Sequence, residues 1–243
     1  MRKRIFPVFF VATIMMAASP ARFESDIFKT EAGDLRITFF GHASLLFQSG
    51  GRAVYVDPDG RLADFAKLPK ADLVLVTHQH GDHFDPAAIA ALRQPSTRII
   101  VTAQCLPLPA GASTMKNGDK ARFADMSVEA VPAYNVVHHR GDGRPFHPRG
   151  EGNGYVLGFP GLRAYVAGDT ENIPEMRTLA GVDIAFLPMN LPYTMTPEMV
   201  ADAARMLRPK ILYPYHYGDT DTGRLVRLLQ GEQGIEIRIR KMS

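Results

Sequence analysis

Cysteine and tryptophan are almost absent from this chain of 243 residues, which contains one cysteine, Cys105, and no tryptophan. A single thiol cannot form an internal disulfide, and it excludes the Cys-rich sites that hold structural zinc. Cys105 follows an apolar run, so we expect a buried and inert thiol. The chain must therefore be stable on its hydrophobic core alone.

Several catalytic motifs are also missing. The sequence has no Gly-rich phosphate-binding loop and no GxSxG turn, so serine hydrolase chemistry has no support. It contains no internal repeat, low-complexity tract or long linker. A content of 46% hydrophobic and 22% charged residues is typical of a globular protein with a substantial core. We predict one domain over residues 22–243.

The excess of positive charge lies at the N-terminus. Residues 1–21 begin with three basic residues, continue with an apolar stretch and end in small residues, which is the layout of a secretory signal peptide. Without them, the 28 basic residues fall to 25 and equal the 25 acidic ones, so we expect no nucleic-acid binding. We predict export to the periplasm or medium, without stable membrane insertion after cleavage. An uncleaved membrane anchor is the alternative, although a membrane span needs about 20 apolar residues.

The densest chemical signal is the run His78-Gln-His80-Gly-Asp82-His83. Imidazole nitrogens and carboxylate oxygens are ligands for Zn²⁺, Mn²⁺ and Fe²⁺. The apolar segment before this run predicts a buried strand, and in an extended chain His78 and His80 point to the same side. Gly81 would then allow a sharp turn that carries Asp82 and His83 toward a second ion. The run predicts a site for divalent metal.

Three other motifs accompany this run: Gly41-His42-Ala43-Ser44 before it, and Gly168-Asp169-Thr170 and Tyr213-Pro-Tyr-His216 after it. Over about residues 35–240 the set resembles the metallo-β-lactamase superfamily. It looks most like the branch that contains L-ascorbate-6-phosphate lactonase and N-acyl-phosphatidylethanolamine phospholipase D. The resemblance implies an α/β fold, a four-layer αββα sandwich, with a dinuclear metal site used most often for hydrolysis.

The resemblance also implies a role for each ligand. His78 and His80 would bind the first metal, and Asp82 and His83 the second. Asp169 would bridge the two ions, and the last ligand of the second ion is His216.

One ligand of the first metal is missing from its expected position. Related proteins usually carry a histidine after the strand that here ends near Tyr134, and this chain has Asn135 instead. Either the Asn135 amide oxygen binds the metal directly, or His147 from the following loop takes the position. We favour His147, because Pro145 and Pro148 stiffen the chain around it.

Further residues are expected around the metals. We predict that His42 orients ligands or substrate without binding metal, and that Asn190 and Tyr193 line the pocket mouth. The loop of residues 138–153 is long enough to suggest a function. Its three arginines either clamp an anionic group or are solvated loop charges: Arg140, Arg144 and Arg149.

Apolar and β-branched runs predict strands, and N-cap residues followed by proline predict helix starts. The predicted strands span residues 35–40, 45–48, 53–56, 73–77, 98–102, 127–132, 155–159, 163–167, 184–187, 211–213 and 235–239. The predicted helices begin near Pro86, Pro174, Pro197 and Thr220.

These observations predict a metal-dependent hydrolase that acts on an ester, lactone or phosphoester bond of a small molecule. Two divalent ions, Zn²⁺ in the first place and Mn²⁺ or Fe²⁺ as alternatives, would activate water, with Asp82 as the catalytic residue. Two other hypotheses about the function stay open. Asn135 suggests a non-catalytic or mononuclear metal-binding protein, and the ligand types also suit a di-iron redox protein on the same fold.

Overall fold

The computed structural model describes residues 23–243. The predicted signal peptide, residues 1–21, lies outside the described residues. Within residues 23–243 no helix has both the length and the apolar character needed to cross a membrane.

Fourteen strands in the described part of the chain form two sheets of seven strands each. The first sheet contains β1 (Ser25–Thr30), β2 (Gly33–Gly41), β3 (Ser44–Ser49), β4 (Arg52–Val56), β5 (Leu73–Leu75), β6 (Arg98–Val101) and β7 (Ala112–Thr114). The second contains β8 (Lys120–Phe123), β9 (Met126–Ala133), β10 (Gly152–Phe159), β11 (Leu162–Val166), β12 (Ile184–Pro188), β13 (Ile211–Tyr215) and β14 (Glu236–Ile237).

Both sheets change direction at their fourth strand. The strands β1 to β4 pair antiparallel, and β4 to β7 pair parallel. In the second sheet β8 to β11 pair antiparallel, and β11 to β14 pair parallel. The carboxyl ends of the parallel strands in each sheet therefore lie at one edge, from which functional loops emerge.

The main core lies between the two sheets. Leu35, Ile37 and Phe39 of β2 alternate along the strand and are almost fully buried there. Phe39 contacts Phe186 and Tyr213 of the second sheet, with ring centroids 6.3 and 5.1 Å apart. Each such side chain contributes about 1.5–3 kcal/mol by leaving water, so these contacts hold the sheets face to face.

The helices cover the outer faces. They are α1 (Pro86–Leu92), α2 (Pro197–Leu207) and α3 (Thr222–Leu228), with 3₁₀ turns at Phe65–Lys67 and Pro174–Leu179. Asp85 caps α1 by accepting hydrogen bonds from the backbone N–H groups of Ala87 and Ala88. A cluster of buried residues joins α1 to the first sheet, and a separate cluster joins α2 and α3 to the second. The four-layer αββα sandwich is confirmed.

Several predicted boundaries were wrong. The strand predicted over residues 73–77 ends at Leu75, because the backbone N–H of Thr77 donates to a side chain, the Asp57 carboxylate. The turn at Pro174 is a 3₁₀ helix, α3 begins at Thr222, and the last strand has only two residues. The strands β1, β7 and β8 were not predicted, because their half-exposed residues lack a marked apolar pattern.

Candidate metal centre

The histidine-rich run follows β5 as an irregular turn. The backbone N–H groups of His83 and Phe84 both donate to the carbonyl oxygen of His80, at 3.0 and 2.8 Å. Gly81 has no positive φ, so the turn does not depend on the conformational freedom of glycine, contrary to our expectation. The run bends because its backbone groups bond to one another after the strand has ended.

Three imidazole nitrogens converge on one point, which we call subsite 1. His78 Nε2 lies 3.0 Å from His80 Nδ1, and His147 Nε2 lies 3.2 Å from the same atom. Zinc–nitrogen bonds of about 2.0–2.1 Å in a tetrahedral site separate the ligand atoms by about 3.3 Å. The spacing of the three nitrogens therefore fits one metal ion.

Asn135 orients His147. The Asn135 Oδ1 atom accepts a hydrogen bond from the backbone N–H of His147 at 2.8 Å and lies 2.7 Å from His147 Nδ1. This contact leaves His147 Nε2 facing the other two imidazoles. The sequence left two candidates for the missing ligand of the first metal, Asn135 and His147. The geometry favours His147 as the ligand, with Asn135 supporting it.

A buried carboxylate, Glu171, holds the segment that carries Asn135. Glu171 accepts hydrogen bonds from the backbone N–H groups of Val136, Val137 and His138, at 2.6–2.7 Å. It also accepts from Asn135 Nδ2 at 3.1 Å. Sequence reasoning missed Glu171, although its place just after the Asp169-Thr170 pair was a usable signal.

A second group of donor atoms, which we call subsite 2, contains Asp82, His83 and His216. Asp82 Oδ2 lies 3.7 Å from His216 Nε2 and 3.9 Å from His83 Nε2. His42 Nε2 lies 3.0 Å from Asp82 Oδ2, and the His42 ring packs on His216 with centroids 3.7 Å apart. His42 Nε2 lies within 4.8 Å of the donor atoms of subsite 2, so a role in orienting ligands without binding metal stays a prediction.

Asp169 lies between the two subsites. Its Oδ2 atom is 3.2 Å from His147 Nε2 in subsite 1 and 3.5 Å from His216 Nε2 in subsite 2. The preceding residue must be glycine, because a Cβ atom on Gly168 would lie 2.7 Å from the carbonyl oxygen of Asn153. Gly168 thus lets the chain pass close enough to place Asp169 at the centre.

Asp57 anchors subsite 2 from behind. Its Oδ2 atom lies 2.8 Å from His83 Nδ1, which directs His83 Nε2 toward the site. Asp57 also accepts hydrogen bonds from the backbone N–H and the hydroxyl of Thr77, at 2.8 and 2.7 Å. Sequence reasoning missed Asp57, although it directly follows β4 at the carboxyl edge of the sheet.

Backbone strain is concentrated here. His42, Asp57 and His216 all have positive φ, at 47°, 47° and 48°. This conformation costs a residue other than glycine about 1–2 kcal/mol, and such residues cluster at functional sites. Each of the three directly follows a strand, so the strain turns its side chain into the site.

Burial and neighbouring charges set the protonation states of the donors in the site. Burial lowers the pKa of His78 well below 6.5, and the charge of His83 adds to that effect, which keeps the imidazole neutral. Burial raises the pKa of Asp169, but His216 and His83 outweigh it, so the pKa lies well below its usual range. Burial opposes the charged form of His83, yet Asp169 and Asp57 raise its pKa, and a bound cation would replace that proton.

Some of these donors have no hydrogen-bond partner within residues 23–243. The buried atoms His83 Nε2, His216 Nε2 and Asp169 Oδ1 are all in this state. An unpartnered buried polar atom costs about 1–3 kcal/mol, and a metal ion would satisfy all three. The donor types and their missing partners fit a divalent cation.

A cavity of about 270 Å³ opens onto both subsites. Asn190 and Tyr193 line it together with Arg140, so the two predicted mouth residues lie where expected. His42, Asp82 and Asp169 reach it from the metal side. The volume suits a small molecule.

Comparison with known proteins agrees with this description. The Beta-lactamase superfamily domain matches residues 36–216. A UPF0173 metal-dependent hydrolase of Pelotomaculum thermopropionicum is 31% identical over 195 residues, which cover 75% of this chain and 84% of the relative. A similar relative from Thermus thermophilus is 32% identical over 193 residues, which cover 75% and 84%.

Solved structures are similar as well. The crystal structure of a candidate metal-dependent hydrolase from Parabacteroides distasonis has a TM-score of 0.86 and 49% identity, covering 91% of this chain and 100% of that one. Igni18, a metallo hydrolase from Ignicoccus hospitalis, has a TM-score of 0.70 and 22% identity, covering 86% and 96%, and shows the fold alone.

The chain belongs to the Beta-lactamase superfamily domain family. Within the metallo-β-lactamase superfamily its relatives are metal-dependent hydrolases. The resemblance drawn from the motifs is thereby confirmed for the superfamily. The narrower branch of the lactonase and the phospholipase stays a prediction.

Proposed function

We propose that this protein is a dinuclear metal-dependent hydrolase that cleaves an ester, lactone or phosphoester bond of a small molecule. His78, His80 and His147 would hold one ion, and Asp82, His83 and His216 the other, with Asp169 shared between them. The position of Asp169 carries the proposal. One carboxylate oxygen lies within 3.5 Å of nitrogens from both subsites, and the other lacks a hydrogen bond.

Two bound divalent ions would lower the pKa of a shared water toward neutrality and stabilise charge that develops on the substrate. Imidazole-rich donors with two carboxylates favour Zn²⁺, and Mn²⁺ and Fe²⁺ also suit them. The two ionised carboxylates, Asp82 and Asp169, would offset part of the positive charge.

Asp82 and Asp169 would have different tasks. The Asp82 side chain is 34% exposed toward the cavity, whereas that of Asp169 is 4% exposed. Burial raises the pKa of Asp82, but His216, 3.7 Å away, and the hydrogen bond with His42 outweigh it and keep the carboxylate ionised. Such a carboxylate is a weak base and a good hydrogen-bond acceptor. We therefore assign Asp82 to orient the attacking water, and Asp169 to hold the two subsites together.

The reaction has a simple balance. The water oxygen bonds to the acyl or phosphoryl centre as the water gives up a proton, the bond to the leaving oxygen breaks, and that oxygen takes up the proton. Asn190 and Tyr193 would bound the space in which the substrate lies. His147 and Asp169 are each only 5% exposed.

Metal stoichiometry tests this proposal directly. We would purify the chain without added metal, measure its ions by elemental mass spectrometry, and repeat the measurement after reconstitution with Zn²⁺ or Mn²⁺. Two ions per chain, with metal-dependent turnover of a p-nitrophenyl ester or of bis(p-nitrophenyl) phosphate, is the expected result. One ion or none after reconstitution would refute the dinuclear mechanism, and reversible redox activity of bound iron would favour the di-iron alternative.

We also propose that the chain is exported, because residues 1–21 have the layout of a signal peptide. Cell fractionation with N-terminal sequencing checks this. A mature N-terminus near residue 22 in the periplasm or medium is expected, and a full-length chain in the cytosol would contradict it.

A further inference from the structure

The three arginines of the loop after β9 have different environments. The Arg149 guanidinium lies 2.7 Å from a Glu175 oxygen, and that of Arg144 lies 2.7 Å from an Asp142 oxygen. Arg140 has no carboxylate partner within residues 23–243, and its side-chain hydrogen bond is to the carbonyl oxygen of Phe146, at 3.3 Å. Of the three, only Arg140 lines the cavity above the metal centre.

The loop holds Arg140 in place. The backbone N–H of Arg140 donates to the carbonyl oxygen of Arg144 at 2.7 Å, and the N–H of Gly143 donates back to Arg140 at 2.9 Å. The guanidinium lies over the ring of Phe146, 5.1 Å from its centroid. Phe146 in turn packs edge-on against Tyr193, with centroids 5.1 Å apart. Arg140 is exposed, but these contacts restrict its guanidinium, so it loses less conformational entropy on binding an anion than a free side chain would.

We propose that Arg140 binds an anionic group of the substrate, a carboxylate or a phosphoryl group, beside the bond that is hydrolysed. The inference rests on the proposed hydrolase function and narrows its substrate class to small anionic esters, lactones or phosphoesters. The guanidinium offers several N–H donors in a planar fork that matches both kinds of anion. A cavity of about 270 Å³ has room for a metabolite-sized molecule.

Anion binding tests the inference without turnover. Inorganic phosphate and succinate would be titrated calorimetrically into the metal-loaded wild-type chain, Arg140→Ala, Arg140→Lys and Arg144→Ala. We expect Arg140→Ala to weaken binding of the preferred anion about 10- to 100-fold, as for a lost charged hydrogen bond. Arg140→Lys should keep part of the affinity because it retains the charge. Arg144→Ala, which removes an arginine already paired with Asp142, is the matched control and should stay within about twofold.

The preferred anion identifies the substrate group. Tighter binding of phosphate favours a phosphoryl substrate, and tighter binding of succinate a carboxylate. The inference is overturned if wild type binds neither anion, or if Arg140→Ala and Arg144→Ala change the affinity equally.

Turnover gives a second measurement. We expect wild type to prefer mono-p-nitrophenyl succinate over p-nitrophenyl acetate, and Arg140→Ala to reduce that preference in kcat/KM about tenfold or more. A preference unchanged by Arg140→Ala would contradict the inference. If wild type hydrolyses no ester, the hydrolase proposal fails for these bonds, while the calorimetric result still decides the role of Arg140.

Discussion

The two halves of the chain fold alike but support the metal centre differently. In each half three antiparallel pairings are followed by three parallel ones, and an aspartate follows the fourth strand: Asp57 after β4 and Asp169 after β11. His83 lies between them. Its Nδ1 is 2.8 Å from Asp57 Oδ2, and its Nε2 is 3.4 Å from Asp169 Oδ1.

The difference between these aspartates lies in their hydrogen bonds. The Asp57 oxygens accept hydrogen bonds from Thr77 and contact His83, whereas Asp169 Oδ1 is buried without a hydrogen bond, with His83 Nε2 3.4 Å away. A buried carboxylate with an unfilled acceptor is costly unless a cation binds it. An aspartate after the fourth strand thus anchors a ligand in one half and is a candidate ligand in the other, and the unfilled hydrogen-bonding capacity of Asp169 tells them apart.

Asp169→Asn should have the largest effect on metal binding and on the rate. Loss of the shared carboxylate weakens both subsites, so we expect less than one ion per chain and a rate reduced about 10³-fold. Elemental analysis and ester hydrolysis measure the two effects. Asp183→Asn is the matched control, because Asp183 pairs with Lys210 at the surface, and it should keep both ions. Two ions in Asp169→Asn would contradict the bridging role.

Asp82→Ala should come next in effect. We expect subsite 1 to keep its ion while subsite 2 weakens, which leaves about one ion per chain, and a rate lower by about 10²–10⁴-fold. The fold should persist because the side chain is partly exposed. Circular dichroism and metal analysis check these expectations, and wild-type turnover would refute the assignment of Asp82.

Asp57→Asn tests the anchor in the first half. Without the carboxylate, the His83 imidazole loses the partner that fixes its orientation, so we expect metal affinity at subsite 2 to fall about 10- to 100-fold. Competition titration with a chromophoric chelator measures this. Equal weakening of both subsites would mean that Asp57 acts on the whole fold.

Asn135→Ala tests the corresponding support in the second half. His147 would lose the oxygen that orients it, and we expect a decrease of about tenfold in affinity at subsite 1 alone. Asn117→Ala removes a comparable amide on a neighbouring loop, away from the three imidazoles, and serves as the control. Unchanged metal affinity in Asn135→Ala would contradict this role of Asn135 and would favour His147 as an ordinary loop histidine.

The smallest effect concerns a contact between the sheets. Asp26 of β1 accepts hydrogen bonds from Arg240 at 2.7 Å and from Tyr213 of β13. Burial raises the pKa of Asp26, but these partners outweigh it, so the folded-state pKa lies below 3.8. The contact therefore stabilises the fold above about pH 4 and is lost as the pH falls through the lower, folded-state pKa.

Asp26→Asn should reduce the free energy of unfolding at pH 7 by about 1 kcal/mol, and the difference from wild type should shrink in strong acid. Denaturant titration at several pH values measures it. A difference that grows on acidification would contradict the sign of the pKa shift.

The first half of the site was readable from sequence because it is contiguous. His78, His80 and His83 lie in one short segment after one strand, and no tertiary information is needed to group them. The sandwich fold likewise followed from the resemblance and was confirmed.

The residues that support the candidate ligands could not be identified from the sequence in this way. Asp57 contacts His83 and Glu171 contacts Asn135 across 26 and 36 positions of the chain, and only the packed sheets bring these residues together. The polar strands β1, β7 and β8 could not be predicted from an apolar pattern either, because pairing with neighbouring strands defines them and burial does not.

With the Glu171 contacts in place, the third imidazole of subsite 1 comes from a different sequence position than the one where related proteins usually carry a histidine. Because that carboxylate fixes the backbone after Asn135, His147, 12 residues further on, reaches the imidazoles of subsite 1. A survey that scores relatives by the residue type aligned with Asn135 would class this chain among those that had lost their site. A survey that counts the imidazoles of subsite 1 would instead class this chain with the metal-binding members.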